Sequence, residues 1–310
     1  MDGDALVLGV DLGGTKIRAA IADTRGSVLA ETVERAVGGD VDAVVAQVVA
    51  LRDELAARSG RRSRDVTVAG MSLPVALHPT GRAWSTGNIP GLRGIVPADV
   101  FAGALEVPVA ADNDGNCAAL GEGRAGAAVG ETDYAVLAIG TGIGGGIVSG
   151  GRLLRGARGG AAELAFFPLG GDPWAARSRE LGAFELAVAG PAVIARLDEA
   201  LRDGEPSSLV AGSRLEAIAT AAAAGDDLAA RLLDEEARLV ALGIAAVQSI
   251  ADPALVVLSG GVGAVSGLLD PVVEHVATLC AQPPRIVTGR LGERAPLVGA
   301  LLLASDAEDP

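Results

Sequence analysis

Residues 5–22 read ALVLGV, DLGGTK, IRAAIA: an apolar run, a turn of small residues, and a second apolar run. A continuous apolar stretch bounded by a turn is the pattern of a buried strand. A short glycine turn between two such stretches predicts a hairpin rather than a strand entering a helix. The same pattern returns mid-chain, where residues 134–139 (YAVLAI) precede Gly140-Thr-Gly-Ile-Gly-Gly-Gly146 and a returning strand at 147–149. One such unit in each half predicts two related α/β lobes facing each other across a cleft.

Outward from these hairpins, apolar residues at helical spacing predict helices over 41–57, 184–202, 215–224 and 226–250, and a terminal one over 296–304 before an acidic tail. Strands are expected at 65–69, 107–111 and 254–258, a helix over 116–122, and surface loops through the Gly/Pro-rich stretch 74–97. The lobes then run from 1 to 113, completed by a helix within 293–310, and from 114 to 292.

At 310 residues the chain suits two packed lobes. Half of it is hydrophobic and only 2% aromatic, so Ala, Val, Leu and Ile must build the interior. A net charge of −14 argues against a nucleic-acid partner, which needs a basic face to neutralise phosphates. Cys117 and Cys280 fit no close-spaced metal pattern and read as free thiols of a reducing compartment. There is no basic leader and no apolar run of spanning length, which points to the cytoplasm and away from a membrane.

Three places carry chemistry. Glycines in the 11–16 turn let backbone N–H groups approach a phosphate, and Asp11 beside them could hold magnesium through water. Taken alone, the turn is an ordinary hairpin. The glycines of 140–146 are too many for a turn that merely needs positive φ, which suggests a bound anion; the other reading is a flexible glycine loop. Ser259-Gly-Gly261 follows a buried strand at a helix start, where it could contact a nucleotide's phosphate or adenosine; taken alone, it is a common strand-to-helix turn. Asp114, between a strand and a helix, is either a helix cap or a general base toward a hydroxyl.

Asp11-Leu-Gly-Gly-Thr-Lys16, Asn113-Asp114-Gly-Asn116, Gly140-Thr-Gly-Ile-Gly-Gly-Gly146 and Ser259-Gly-Gly261 stand in the order and at the separations of the ROK family, which this chain resembles over essentially its whole length. The resemblance implies the two-lobed α/β actin/hexokinase-like (ribonuclease H-like) fold. It further implies an ATP- and magnesium-dependent kinase acting on the 6-hydroxyl of a hexose, in a homodimer. Asp114 would be the base, and Asn88, Asn113, Glu163 and Glu185 would bind sugar. Asp11, Gly13, Gly14, Thr15 and Lys16 would hold ATP and magnesium, with Gly140, Thr141, Gly142, Gly144, Gly260 and Gly261. Polyphosphate as donor, and fructose or N-acetylmannosamine as acceptor, stay open. A non-catalytic sugar sensor and an actin-like ATPase are the other classes.

The chain departs from the family pattern where many members carry zinc. Positions that would be one histidine and three cysteines read Phe166, Ala176, Ser178 and Ala183, none a good zinc ligand, so no zinc is expected. Packing of Phe166, Phe167, Trp174 and Phe184 is expected to hold that segment instead. Phe166 also removes a donor to the sugar, which suggests an amino hexose such as kanosamine among the carboxylates.

Overall fold

The computed structural model describes residues 5–85 and 89–306, so Asn88 lies outside the described residues. Contacts divide the chain into two compact units, Met1–Ala125 with Arg155–Ala161 and Arg294–Pro310, and Gly126–Leu154 with Ala162–Glu293.

In the first unit, strands β1 (Leu6–Leu12), β2 (Lys16–Asp23), β3 (Val28–Arg35), β4 (Val66–Leu73) and β7 (Val109–Asn113) form one sheet in the order β3-β2-β1-β4-β7. β1 pairs antiparallel with β2 and parallel with β4, which pairs parallel with β7. β5 (Ala76–Leu77) and β6 (Ala83–Ser85) make a separate short hairpin.

Side chains alternate across β1 with period two. Leu6, Leu8 and Val10 join the core beneath helices α1 (Val41–Arg58) and α2 (Pro97–Leu105), while Val7 faces the C-terminal helix, Ala295–Asp306. That helix lies so close to the sheet that a Cβ on Gly70 would sit 1.8 Å from the Ala300 carbonyl oxygen. Helix α3 (Asp114–Ala125) packs equally tightly along it: a Cβ on Gly299 would sit 2.0 Å from the Cys117 carbonyl oxygen. Backbone contact of this kind places α3 with the first unit, whereas the sequence division falls before it, after residue 113.

The second unit repeats the plan. β8 (Tyr134–Ile139), β9 (Ile143–Ser149), β10 (Arg152–Leu153), β11 (Leu255–Ser259) and β12 (Arg285–Thr288) run in the order β10-β9-β8-β11-β12. The senses match the first sheet strand for strand, antiparallel across the hairpin and parallel beyond β8. Glycines 144, 145 and 146, read from sequence as turn, pair within β9 against Ala138, Leu137 and Val136.

Helices α4 (Ala176–Leu181), α5 (Ala183–Val188), α6 (Gly190–Arg202) and α7 (Leu215–Ala223) follow, then α8 (Asp227–Ala251), α9 (Gly260–Gly263) and α10 (Leu269–Leu279). The single helix expected over 184–202 breaks at Ala189 because Pro191 supplies no N–H and would clash with the carbonyl four residues back. Helix α8 starts as expected, with the Asp226 carboxylate accepting from the Ala229 N–H.

Candidate functional site

Three parallel strands of the first unit end side by side, and their register sets Asp11 beside Ser72 and Ser72 beside Asp112. Ligands of open α/β sheets gather at such carboxyl ends. Ser72 is fully buried and its hydroxyl donates to Asp11 Oδ1 at 2.7 Å. Asp112 is also buried and takes four donors. Its Oδ1 accepts from the Asn113 N–H and from Asn116 Nδ2, each at 2.8 Å, and its Oδ2 from Arg155 Nε at 2.9 Å and Nη2 at 2.8 Å.

Asn113 turns the chain from β7 into α3. Its Oδ1 accepts from the N–H groups of Gly115 and Asn116, and its Nδ2 donates to the Val75 carbonyl at 3.1 Å. The capping role that sequence offered to Asp114 therefore falls largely to Asn113. Asp114 is half-buried as the first residue of α3, in the helix's positive first turn. Its Oδ1 accepts from the Gly115 N–H. Beneath this corner the Cys117 thiol is pushed well up, first by burial and then by the charges of Asp112, Asp11 and Asp114. Three carboxylates thus act on one buried point.

The β1–β2 turn beside Asp11 is closed by the Gly13 N–H donating to the Lys16 carbonyl at 2.9 Å. Gly14, Thr15 and Lys16 are exposed. In the second unit the matching β8–β9 turn is only Gly140, Thr141 and Gly142. The Gly140 N–H donates to the Gly142 carbonyl, and the Gly190 N–H at the start of α6 to the Gly140 carbonyl. No glycine of either turn has positive φ. Close approach explains one of them: a Cβ on Gly142 would sit 2.8 Å from Glu185 Oε2, which accepts from the Ile143 N–H at 2.9 Å. Burial raises the Glu185 carboxyl above its ordinary range, partly offset by that N–H.

Gly260 differs, with φ +79° and a would-be Cβ 2.4 Å from the Ile139 carbonyl oxygen. It seats the β11–α9 corner against the end of β8, whereas a Cβ on Gly261 would meet nothing within 4 Å. Gly144 lies in β9 rather than in the turn. Glu163 is half-buried and follows Ala162, whose φ of +63° is uncommon for a residue with a side chain. Glu163 and Glu185 belong to the second unit, and Asp11, Asn113 and Asp114 to the first.

Of the four aromatics expected to pack together, two do. Phe184 is fully buried against Phe167, with ring centroids 6.1 Å apart, while Phe166 and Trp174 are exposed. Phe184 lies over bare backbone, since a Cβ on Gly243 of α8 would come within 2.3 Å of its ring. Among the described residues no three His, Cys, Asp or Glu side chains gather as metal ligands. Sequence reasoning missed Ser72, Asp112 and Arg155; only Ser72, a hydroxyl in the apolar run VTVAGMSL, left a local signal.

This chain belongs to the ROK family, whose model matches residues 7–307. It is 36% identical over 312 residues to the "Bifunctional enzyme NanE/NanK" of Brucella suis biovar 1, covering 96% of this chain and 53% of that one. The chain thus spans about half the length of that curated relative. Among solved structures, the ROK hexokinase of Thermus thermophilus is 32% identical with a TM-score of 0.79, covering 98% of this chain and 100% of that one. A ROK family glucokinase from Streptomyces griseus, in complex with glucose and AMPPNP, is 26% identical with the same TM-score, covering 97% and 100%. The fold is the α/β actin/hexokinase type, with its ribonuclease H-like sheet occurring twice.

Proposed function

We propose that this chain is an ATP- and magnesium-dependent kinase that transfers the γ-phosphoryl group to the 6-hydroxyl of a hexose. The observation carrying this reading is the corner at the end of β7, where Asn113 caps α3 and sets Asp114 in its first turn beside the Asp11–Ser72–Asp112 row. A carboxylate is a weak base for an alcohol, but phosphoryl transfer has a loose transition state. Orienting the nucleophile therefore matters more than early proton removal. Asp114 accepts the hydroxyl proton as the new P–O bond forms and the bond from the γ-phosphorus to the bridging oxygen breaks, releasing ADP.

The residues fit the nucleotide as well. Gly140 and Gly261 could each carry a Cβ that meets nothing within 4 Å, so bare backbone borders open space there. The backbone of Gly13, Gly14 and Thr15, with Lys16, would hold phosphate on the first unit, and Gly140, Thr141, Gly142, Gly260 and Gly261 on the second. Asp11, fixed by Ser72, is a hard oxygen donor suited to magnesium through water. Bound magnesium would supply positive charge to the β- and γ-phosphate oxygens. Asn88, Asn113, Glu163 and Glu185 would bind the sugar. The exposed Phe166 in place of the family's usual histidine favours an amino hexose, kanosamine among them, over glucose. Both cysteines are free thiols, in keeping with a cytoplasmic protein, and no described helix is long and apolar enough to cross a membrane.

The test is ADP release with ATP and magnesium across glucose, mannose, fructose, N-acetylmannosamine, glucosamine and kanosamine, run beside Asp114→Asn. One acceptor should be preferred, and the variant should lose about 10²–10⁴-fold in kcat. Sugar-independent ADP release, or a variant as active as the parent, would overturn the reading.

A further inference from the structure

The β8–β9 turn is held from outside at two points, and both belong to one corner of the second unit. Glu185 of α5 accepts from the Ile143 N–H at 2.9 Å, and Gly190, which opens α6, donates its N–H to the Gly140 carbonyl at 2.8 Å. A Cβ on Gly190 would lie 3.3 Å from that oxygen, and one on Gly142 2.8 Å from Glu185 Oε2. Corner and turn therefore meet without slack, and the place of residues 185–190 sets the place of the turn.

The corner exists because a helix is broken. In an unbroken helix the Ala187 carbonyl would accept from the N–H of residue 191, and Pro191 has none. Arg196 of α6 supplies the donor instead, its Nη1 reaching the Ala187 carbonyl at 2.6 Å. The other arm of the guanidinium, Nη2, is held by Glu236 Oε2 of α8, and Glu236 is fully buried. The core around this pair is otherwise Ala, Val, Leu, Ile and Phe. Neither Glu236 Oε1 nor Arg196 Nε finds a partner among the described residues. Such a pair is a poor filler on grounds of stability, since apolar residues of similar volume often serve as well or better. An apolar pair could not, however, tie the orphaned Ala187 carbonyl to α8.

We infer that Arg196 and Glu236 are positioning residues for the nucleotide's phosphates, acting on the β8–β9 turn through the α5–α6 corner. Glu236 fixes the guanidinium, the guanidinium fixes the end of α5, and Glu185 and Gly190 pass that position to Ile143 and Gly140. The inference rests on the kinase reading, in which this turn cradles phosphate.

The test is calorimetric titration with magnesium–ADP and with adenosine, both without sugar, which separates phosphate binding from binding of base and ribose. Arg196→Met/Glu236→Leu fills the space with apolar side chains and takes the donor from the Ala187 carbonyl. The ratio of ADP affinity to adenosine affinity should fall about tenfold or more, the scale expected when a binding group is misplaced by under an ångström. Arg196→Lys keeps a cation beside Glu236 but not the fork, and should lower the ratio less. Glu236→Gln still offers Arg196 an acceptor and should lower it least. Adding Glu185→Ala to the double variant should cost little beyond Glu185→Ala alone, because both changes loosen one turn. A pair that serves only the core would lower the thermal midpoint and leave the ratio where it was. If the double variant does not fold, Arg196→Lys decides alone. An unmoved ratio in the folded variants, or losses that add to that of Glu185→Ala, would overturn this inference and leave the kinase reading standing. A parent protein that binds ADP no better than adenosine would overturn both.

Discussion

The two sheets share strand order and strand senses, yet their carboxyl ends are made of different material. At the end of the first, three adjacent strands present Asp11, Ser72 and Asp112, with Asp114 just beyond. At the end of the second, Ala138 pairs with Ser259, and just beyond come Gly140 and Gly142 of the turn, Gly190 donating to the Gly140 carbonyl, and Gly260 against Ile139. One scaffold thus delivers carboxylates in one copy and bare backbone in the other. Under the kinase reading the division is chemically sensible, because orienting a hydroxyl needs a charged side chain whereas cradling phosphate needs unobstructed N–H groups.

The difference can be broken from either side. The largest effect is expected where a glycine belongs to the fold. Gly260→Ala places a Cβ in the left-handed region, costing roughly 1–2 kcal/mol, and drives it against the end of β8, adding about 1–3 more. Urea unfolding should show a loss of about 3 kcal/mol. Gly261→Ala, beside it but open, should change stability by less than about 0.5 kcal/mol and instead raise the KM for ATP.

Next is a carboxylate of the second unit that does not sit at a strand end. Glu236 of α8 is fully buried, with Arg196 Nη2 as partner and its Oε1 without one. Burial pushes its carboxyl up to about 7, against the opposing pull of Arg196. Between an ordinary glutamate value and 7 the folded form holds a proton that the unfolded form has released. Stability from this group is therefore full below about pH 4.5 and is lost as pH rises through 7, by up to about 3 kcal/mol. Denaturant midpoints measured from pH 4.5 to 8 should decline, and Glu236→Gln should remove most of that slope.

A smaller loss is expected in the first unit for Arg155→Ala. The buried Asp112 carboxylate would keep its donors from Asn113 and Asn116 but lose the guanidinium, at a cost of about 1–3 kcal/mol. The hexose KM should rise more than the KM for ATP, because the corner that Arg155 braces carries Asn113 and Asp114. Equal changes in both would mean that the brace serves only the fold.

Both hairpins and the buried strands were legible because a run of Val, Leu, Ile and Ala between turn residues has few other readings. Gly144–Gly146 misled for a physical reason: glycine in a strand looks like turn, and the close approach that demands it comes from elsewhere. A Cβ on Gly145 would meet the Leu164 side chain at 2.4 Å, a neighbour nineteen residues on. Arg155 and Asp112 are 43 residues apart, and nothing local marks them as partners. Asp114 was legible as a candidate, but whether it or Asn113 caps the helix depends on side-chain directions that spacing does not set. Phe166 and Trp174 were grouped with Phe167 and Phe184 by type, and only tertiary packing separates the exposed pair from the buried one.

The C-terminal helix has a consequence for how the molecule is made. Val7, Ala20, Ala22 and Val68 are covered by Leu297, Leu301 and Ala304, so the first sheet to leave the ribosome is the last to be sealed. At about 5–20 residues per second, that face waits on the order of ten seconds or more for its cover. The second unit, whose strands and helices all precede residue 294, can consolidate in the meantime.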